Sequence, residues 1–576
     1  MDKKWDKHTQ AVKRTWHKRF SLIVFFFVLY LMVLHPFVIG PQGYVDITKT
    51  KQNVFLLFLI CTVFALGLLY AIAIISGYRH GFRGILKNLR VYDYVLIGYL
   101  LIAFISACLS EHQTQAWGGA TDRNEGFFML LAYVSVFFVI SRLYKPKTRD
   151  MLIFAAAGGL IALYGILQFY GIDPFRLNPM EGIHYNVIFF ATMSNRNVFS
   201  AYLCLILWTS AVLFIRQKEV IFWRYEFLAC ALIVFYMMLC GITRSGYVGA
   251  SVALLLMFPF LFKDFKTGSR LFALLCGCSL LVWLFQFTYS GFIAQDRSLA
   301  ANAFSLPLWS AIACAAISFV LYSIKKPFPL KPAIWRMVWA GVLVVILAAG
   351  YIALPVVAEK TQQVTLLEAS RLQRGEIDDD MGSARIFIWT RALRLITTTG
   401  TGAIPVIPKP PKVTIVDDET VIVSGRFSAS ASKVTVDASS EETGPPVARN
   451  VLLGHGPDNF AVVFAERFGV EAALKHRVLY DKAHNEYLQI LVDIGVLGLG
   501  SLMVFYVLLL WSARKLTDHP LIVAAVAAIV CYLIQAFFNF AQPFSTPIMW
   551  MMLGILGALL REQQSEATVE QVGNTT

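Results

Sequence analysis

The chain has 576 residues, 57% of them hydrophobic and 14% aromatic but only 15% charged, with a mean hydropathy of +0.63. This is more apolar surface than one soluble core can bury, which excludes a soluble globular or disordered protein and indicates an integral membrane protein. The net charge of +14 falls in short clusters between apolar runs, which speaks against nucleic acid as a partner and for orientation signals beside membrane lipids.

Apolar runs of roughly 17 to 25 residues recur along the chain, each long enough to cross about 30 Å of hydrocarbon as a helix. The short alternating segments of a transmembrane barrel are absent, so the expected fold is an all-α polytopic membrane protein. Residues 1–19 carry Lys3, Lys4, Lys7, Lys13, Arg14, Lys18 and Arg19 ahead of an apolar stretch from Phe20 to Gly40. A cleaved signal peptide is the competing reading. The run is too long for that and ends without a small-x-small site, which favours a first span with a cytoplasmic N-terminus.

Further spans are expected at about 53–77, 93–110, 126–144, 151–170, 197–215, 226–241, 246–262, 271–289, 301–323, 337–357, 486–512, 520–539 and 546–560, some fourteen in all. Bases such as Arg79, Arg83, Lys145, Lys147, Arg216, Arg224, Lys263, Arg270, Lys325, Lys326 and Arg514 then fall in alternate loops, which places both termini inside. The nine cysteines lie within or next to spans and read as small apolar residues, not as disulfides or metal ligands.

One connection, residues 358–485, is of domain size, and the span count puts it on the outer face. It opens with polar sequence and the acidic run Glu376 to Asp380, of which Asp378 to Asp380 read as solvated carboxylates although they could ligate a divalent cation. An amphipathic helix is expected over Ser383–Ile396, with Ile386, Trp389, Leu393 and Ile396 on its apolar face, lying along the membrane surface. Residues 398–449 read as a variable insert holding a small β-hairpin over 412–423, with its turn at Asp417 and Asp418. A Gly- and Pro-punctuated turn over 452–460 leads to His484, at the junction of loop and span.

Four features here carry a family resemblance. They are Thr243-Arg244-Ser245-Gly246 at the tip of a helical hairpin, Arg385 with Trp389, Gly454-His455-Gly456-Pro457, and His484-Asn485 followed after nine residues by Gly495 and then Gly498. In this order they resemble the bacterial O-antigen ligase and O-antigen polymerase family, over roughly residues 120–510. The chain departs from that pattern at Asn195-Arg196-Asn197, where relatives carry a proline, and in the 398–449 insert. The resemblance implies a GT-C-like fold in the bacterial cytoplasmic (inner) membrane. It further implies transfer of a glycan from an undecaprenyl-pyrophosphate carrier to an acceptor hydroxyl on a glycan, lipid or protein, with inversion and with neither a metal nor another cofactor.

Such transfer needs a group that deprotonates or positions the acceptor and fixed cations for the leaving pyrophosphate. Histidine suits the first duty and arginine the second. The candidates are His484, Arg244 and Arg385 for the chemistry, with Asn485, Glu486, Ser245, Arg196 and Arg123 lining the substrate. For His484 the competing role is a helix-capping interfacial residue, and for Arg244 a snorkelling span-end charge. Arg391 and Arg394 read as a basic face for lipid headgroups, Asp493 as a structural partner, and Gly495 and Gly498 as close-packing positions. His455, Asp458 and His484 follow no zinc spacing. A lipid-linked glycan transporter or flippase remains the alternative, and it would show related halves and interrupted helices at mid-membrane.

Overall fold

The computed structural model describes residues 2–41, 43–44, 46–76, 89–120, 124–177, 191–193, 195–217, 220–289, 306–361, 364–397, 412–415, 421–424 and 448–573. Arg79, Arg83, Arg123, Asp417 and Asp418 lie outside them. The described chain is helical throughout its apolar runs. Eleven helices are long and apolar enough to cross a membrane. Two shorter apolar helices, Phe127–Leu143 and Pro520–Ala536, and the apolar first half of Thr546–Gly573 occupy the other three segments read as spans.

The bundle is organised around Arg196–Arg216, the candidate span whose most apolar stretch is wholly enclosed by protein. Such a helix is apolar all round because every face meets another helix. Thr148–Phe169, Ile221–Gly241, Arg244–Leu261 and Pro520–Ala536 surround it. At the other extreme, the most apolar stretch of Pro332–Lys360 is nowhere buried by the chain, and Leu306–Ser323 is almost as bare. These residues stay apolar because their surroundings are hydrocarbon, the solvent in which exposed leucine costs nothing.

Charged residues gather where helices end. Arg216 donates to the carbonyls of Phe260 and Thr517, and Arg270 to that of Ile215 at 2.9 Å. Fully buried Asp93 takes Arg142 at 3.2 Å and Arg561 at 2.5 Å. The Arg216–Phe260 and Arg270–Ile215 bonds reach last-turn carbonyls that have no intrahelical partner, the Asp93 set is a buried ion-pair cluster, and both lie at the end of the bundle away from His484. At the His484 end, buried Lys51 donates to the carbonyls of His35 (2.9 Å) and Pro36 (2.8 Å), closing the C-terminus of the first apolar helix.

The large connection packs as a second, smaller core. Phe387, Ile388, Ala392, Leu395 and Ile396 meet Phe460, Val463, Phe464, Phe468 and Ala472 of the helix Phe460–His476, together with Ala483 and Val492. The side of this helix formed by Phe387, Ile388, Ala392, Leu395 and Ile396 is covered by protein, while Leu393, expected on the face towards the membrane, is exposed. Gly382, Ser383 and Ala384 have φ of 66°, 60° and 63°, so the right-handed helix begins only after them. Arg391 is not a headgroup contact. It sits over the Phe387 ring and bonds Asp379 at 2.6 Å and Glu471 at 2.5 Å, while Lys475 bonds Asp379 at 2.8 Å. Asp379 is therefore a structural acid and not a solvated one; although burial opposes it, the bonds from Lys475 and Arg391 hold its carboxyl below the ordinary range. Of the insert, Lys412–Ile415 pairs antiparallel with Val421–Ser424, with Ile415 opposite Val421.

Candidate functional site

His484 is presented by a backbone fixed on both sides. Asn485 is the N-cap of Glu486–Ser512 and accepts from the amides of Tyr487 (3.0 Å) and Leu488 (3.1 Å). Buried Ala483 donates its N–H to Gln489 Oε1 (2.9 Å) and accepts at its carbonyl from the indole of Trp389 (2.9 Å). Between these anchors His484 adopts φ 49°, a left-handed conformation that costs a non-glycine residue about 1 kcal/mol or more. Its half-buried ring meets the edge of Phe540, with centroids 5.1 Å apart. Asn485, expected at the substrate, has its oxygen committed to the cap.

Below this junction the chain crosses itself. Gly495 breaks the helix with φ 77°, and a Cβ there would lie 2.3 Å from the Leu452 carbonyl oxygen. Gly454 makes the reciprocal approach: its Cβ would lie 2.4 Å from the Asp493 carbonyl carbon. Two backbones in contact leave no room for side chains, which explains the glycines of both segments. The opened turn is used at once. The amides of His455 and Gly456 donate to the carbonyls of Val492 (3.0 Å) and Asp493 (2.8 Å). Gly498, by contrast, faces Ile494 of its own helix and not a neighbouring one.

A cavity of about 60 Å³ opens beside the crossing, lined among others by Glu125, Asp458, Lys482, Glu486, Asp493 and Phe540. Lys482 donates to Asp458, whose other oxygen takes the amides of Ala120 (2.7 Å) and Glu125 (2.9 Å). Burial works against the Lys482 ammonium, but Asp458, Asp493 and Glu125 outweigh it and hold its pKa above the ordinary value. Asp493 accepts from the amide of Phe460 (2.9 Å) and from Gln489 (2.8 Å), so it holds the next helix in place. Burial pushes the Glu125 carboxyl up to about 8, against Lys482 and the 2.8 Å bond from Tyr133. Glu486 lines this cavity. Among the described residues no group of three or more His, Cys, Asp and Glu could hold a metal ion.

The arginines come from other segments. Arg244 opens the helix Arg244–Leu261, is half exposed, and lies 3.8 Å from Glu368. Arg385 follows the left-handed turn, one helical turn before Trp389. Burial lowers its pKa, the nearby Arg244 charge adds to this, and Glu368 opposes it. Arg385 and Arg244 thus share one neighbourhood, and Trp389 ties the Arg385 helix to the residue before His484. Ser245 is buried, 3.4 Å from Gln535, and a Cβ on Gly246 would meet Ser200 Oγ at 2.0 Å. Both serve helix packing in this structure. Arg196 is exposed at the start of its helix, where the Asn197 carbonyl accepts from Gln535 (3.1 Å) and Asn539 (3.0 Å).

Three residues at this end escaped the sequence reading: Glu368, Glu125 and Lys482. Lys482 carried no signal, since it follows Lys475 and Arg477 in a loop rich in bases, and its buried partner Asp458 is set by packing. Compared with protein-family models and with curated protein sequences, the chain matches none.

Proposed function

We propose that this chain is an inverting membrane glycosyltransferase of the O-antigen ligase or polymerase type. It takes a glycan from undecaprenyl pyrophosphate at the outer face of the bacterial cytoplasmic membrane. Fourteen helices span that membrane in a GT-C-like arrangement, with residues 358–485 outside and both termini in the cytoplasm. The observation that carries the reading is the convergence of three distant segments. Arg244 faces Glu368, both charges are felt by Arg385, and the indole of Trp389, on the Arg385 helix, bonds the carbonyl of Ala483 beside His484.

In this reading Arg244 and Arg385 neutralise the pyrophosphate, and their charge persists in a poorly solvated site. His484 accepts or orients the proton of the acceptor hydroxyl. The acceptor oxygen attacks the anomeric carbon, the bond from that carbon to phosphate oxygen breaks, and the electron pair leaves with polyprenyl pyrophosphate. As the resemblance implies, no metal takes part.

The test uses membranes holding wild type, His484→Ala or Arg244→Ala at equal levels, given a lipid-linked glycan and its acceptor. Each variant is expected to lose transfer by about 100-fold or more, with lipid-linked donor accumulating. Wild-type transfer by both variants would overturn the mechanism. Movement of the donor across vesicles without bond transfer would favour a transporter.

A further inference from the structure

Arg244 already faces an anion that belongs to the chain itself, and Arg385 lies within the electrostatic reach of both. Glu368, on the helix Val364–Gln373, sets Oε2 3.8 Å from Arg244 Nη1. Its Oε1 accepts a hydrogen bond from the amide of Gly382 at 3.2 Å. Gly382 begins the run of three left-handed residues that ends at Ala384, just before Arg385, so the bonded amide and that guanidinium are linked by a short, conformationally restricted segment. One carboxylate against two guanidiniums leaves a positive charge unmatched. A terminal diphosphate, with more charge and more acceptor oxygens than a carboxylate, satisfies the same donors better.

We propose that Glu368 is a resident counter-ion in the seat of the donor pyrophosphate. Ligand binding exchanges the carboxylate for phosphate oxygens and hands over Arg244, Arg385 and the Gly382 amide together. This rests on the reading of the chain as a transferase with a pyrophosphate-linked donor. The exchange makes the seat selective: a singly charged phosphodiester headgroup displaces Glu368 with no gain in charge, whereas a pyrophosphate gains at least one further ionic contact. The empty site also avoids two adjacent bare cations at the membrane surface. Glu368 is a positioning residue, and its removal acts on donor affinity.

The experiment measures binding of inorganic pyrophosphate and geranylgeranyl pyrophosphate to the full chain in detergent by calorimetry. Glu368→Gln, which keeps shape and removes charge, is expected to bind both about three- to tenfold more tightly than wild type. The gain should vanish in Arg244→Ala/Glu368→Gln. Glu368→Ala provides a second variant should the first fail to fold. Equal affinity in wild type and the Glu368 variants overturns the exchange and leaves the transferase reading to its own test. No pyrophosphate binding by any form overturns both. Competition by phosphatidylglycerol nanodiscs as effective as that of pyrophosphate overturns the assignment of the seat to the donor.

Discussion

Glu125 accepts from Tyr133 with one carboxylate oxygen, while the other is buried without a hydrogen-bond partner in the cavity that holds the Lys482–Asp458 pair. Its carboxyl is pushed up to about 8, chiefly by burial and further by Asp458 and Glu486, against the pull of Lys482 and Tyr133. A folded-state pKa above the unfolded value contributes stability that is complete below the unfolded pKa and is lost as pH rises through the folded one. The melting temperature in detergent should therefore fall between about pH 5 and pH 9 through this residue. Glu125→Gln should flatten that part of the profile, and an unchanged slope would show that Glu125 is not the titrating group. The Lys482–Asp458 pair beside it is of the kind whose single truncation costs about 3 to 5 kcal/mol, since one buried charge is left unmatched.

At the scale of elements, the glycine crossing decides whether the His484 junction exists. Gly495→Ala requires a positive φ from alanine and places its Cβ 2.3 Å from the Leu452 carbonyl oxygen, which neither backbone can relieve alone. It should cost at least about 2 kcal/mol and reduce the yield of monodisperse protein. Gly500→Ala, with nothing near its Cβ, is the control and should be neutral or slightly stabilising. Equal yields from the two would refute a structural crossing. The helix bearing Arg385 belongs to the same unit, because its apolar side is buried against Phe460–His476 and its indole bonds Ala483. Its position is fixed by these protein contacts.

At the scale of the molecule, the Arg216, Arg270 and Asp93 clusters lie at the end opposite His484. The proposed orientation puts the first end in the cytoplasm. In a cysteine-free background, Glu466→Cys should react with a membrane-impermeant maleimide in intact spheroplasts, and Lys515→Cys only after lysis. The reverse pattern would invert the topology and move His484 inside. The outlying helices Leu306–Ser323 and Pro332–Lys360 are exposed around most of their circumference, as expected of surfaces solvated by lipid.

Sequence by itself determined the membrane class and the approximate place of the eleven long apolar helices, because a lipid-crossing helix must be apolar along its own length and that requirement is local. Through chemistry and a resemblance it also offered Arg244, Arg385 and His484 as candidates on one outer face, without the contacts that surround each. What only tertiary structure decided depends on partners distant in the chain. Arg391 is a buried ion-pair residue because Asp379 and Glu471 come to it, and the side of its helix formed by Phe387, Ile388, Ala392 and Leu395 is covered because Phe460–His476 packs against it. Gly246 is needed against Ser200, and Glu368 reaches Arg244 only because two segments more than a hundred residues apart meet. Periodicity reports that a face is apolar; which surface covers it, and which charge answers which, is fixed by packing.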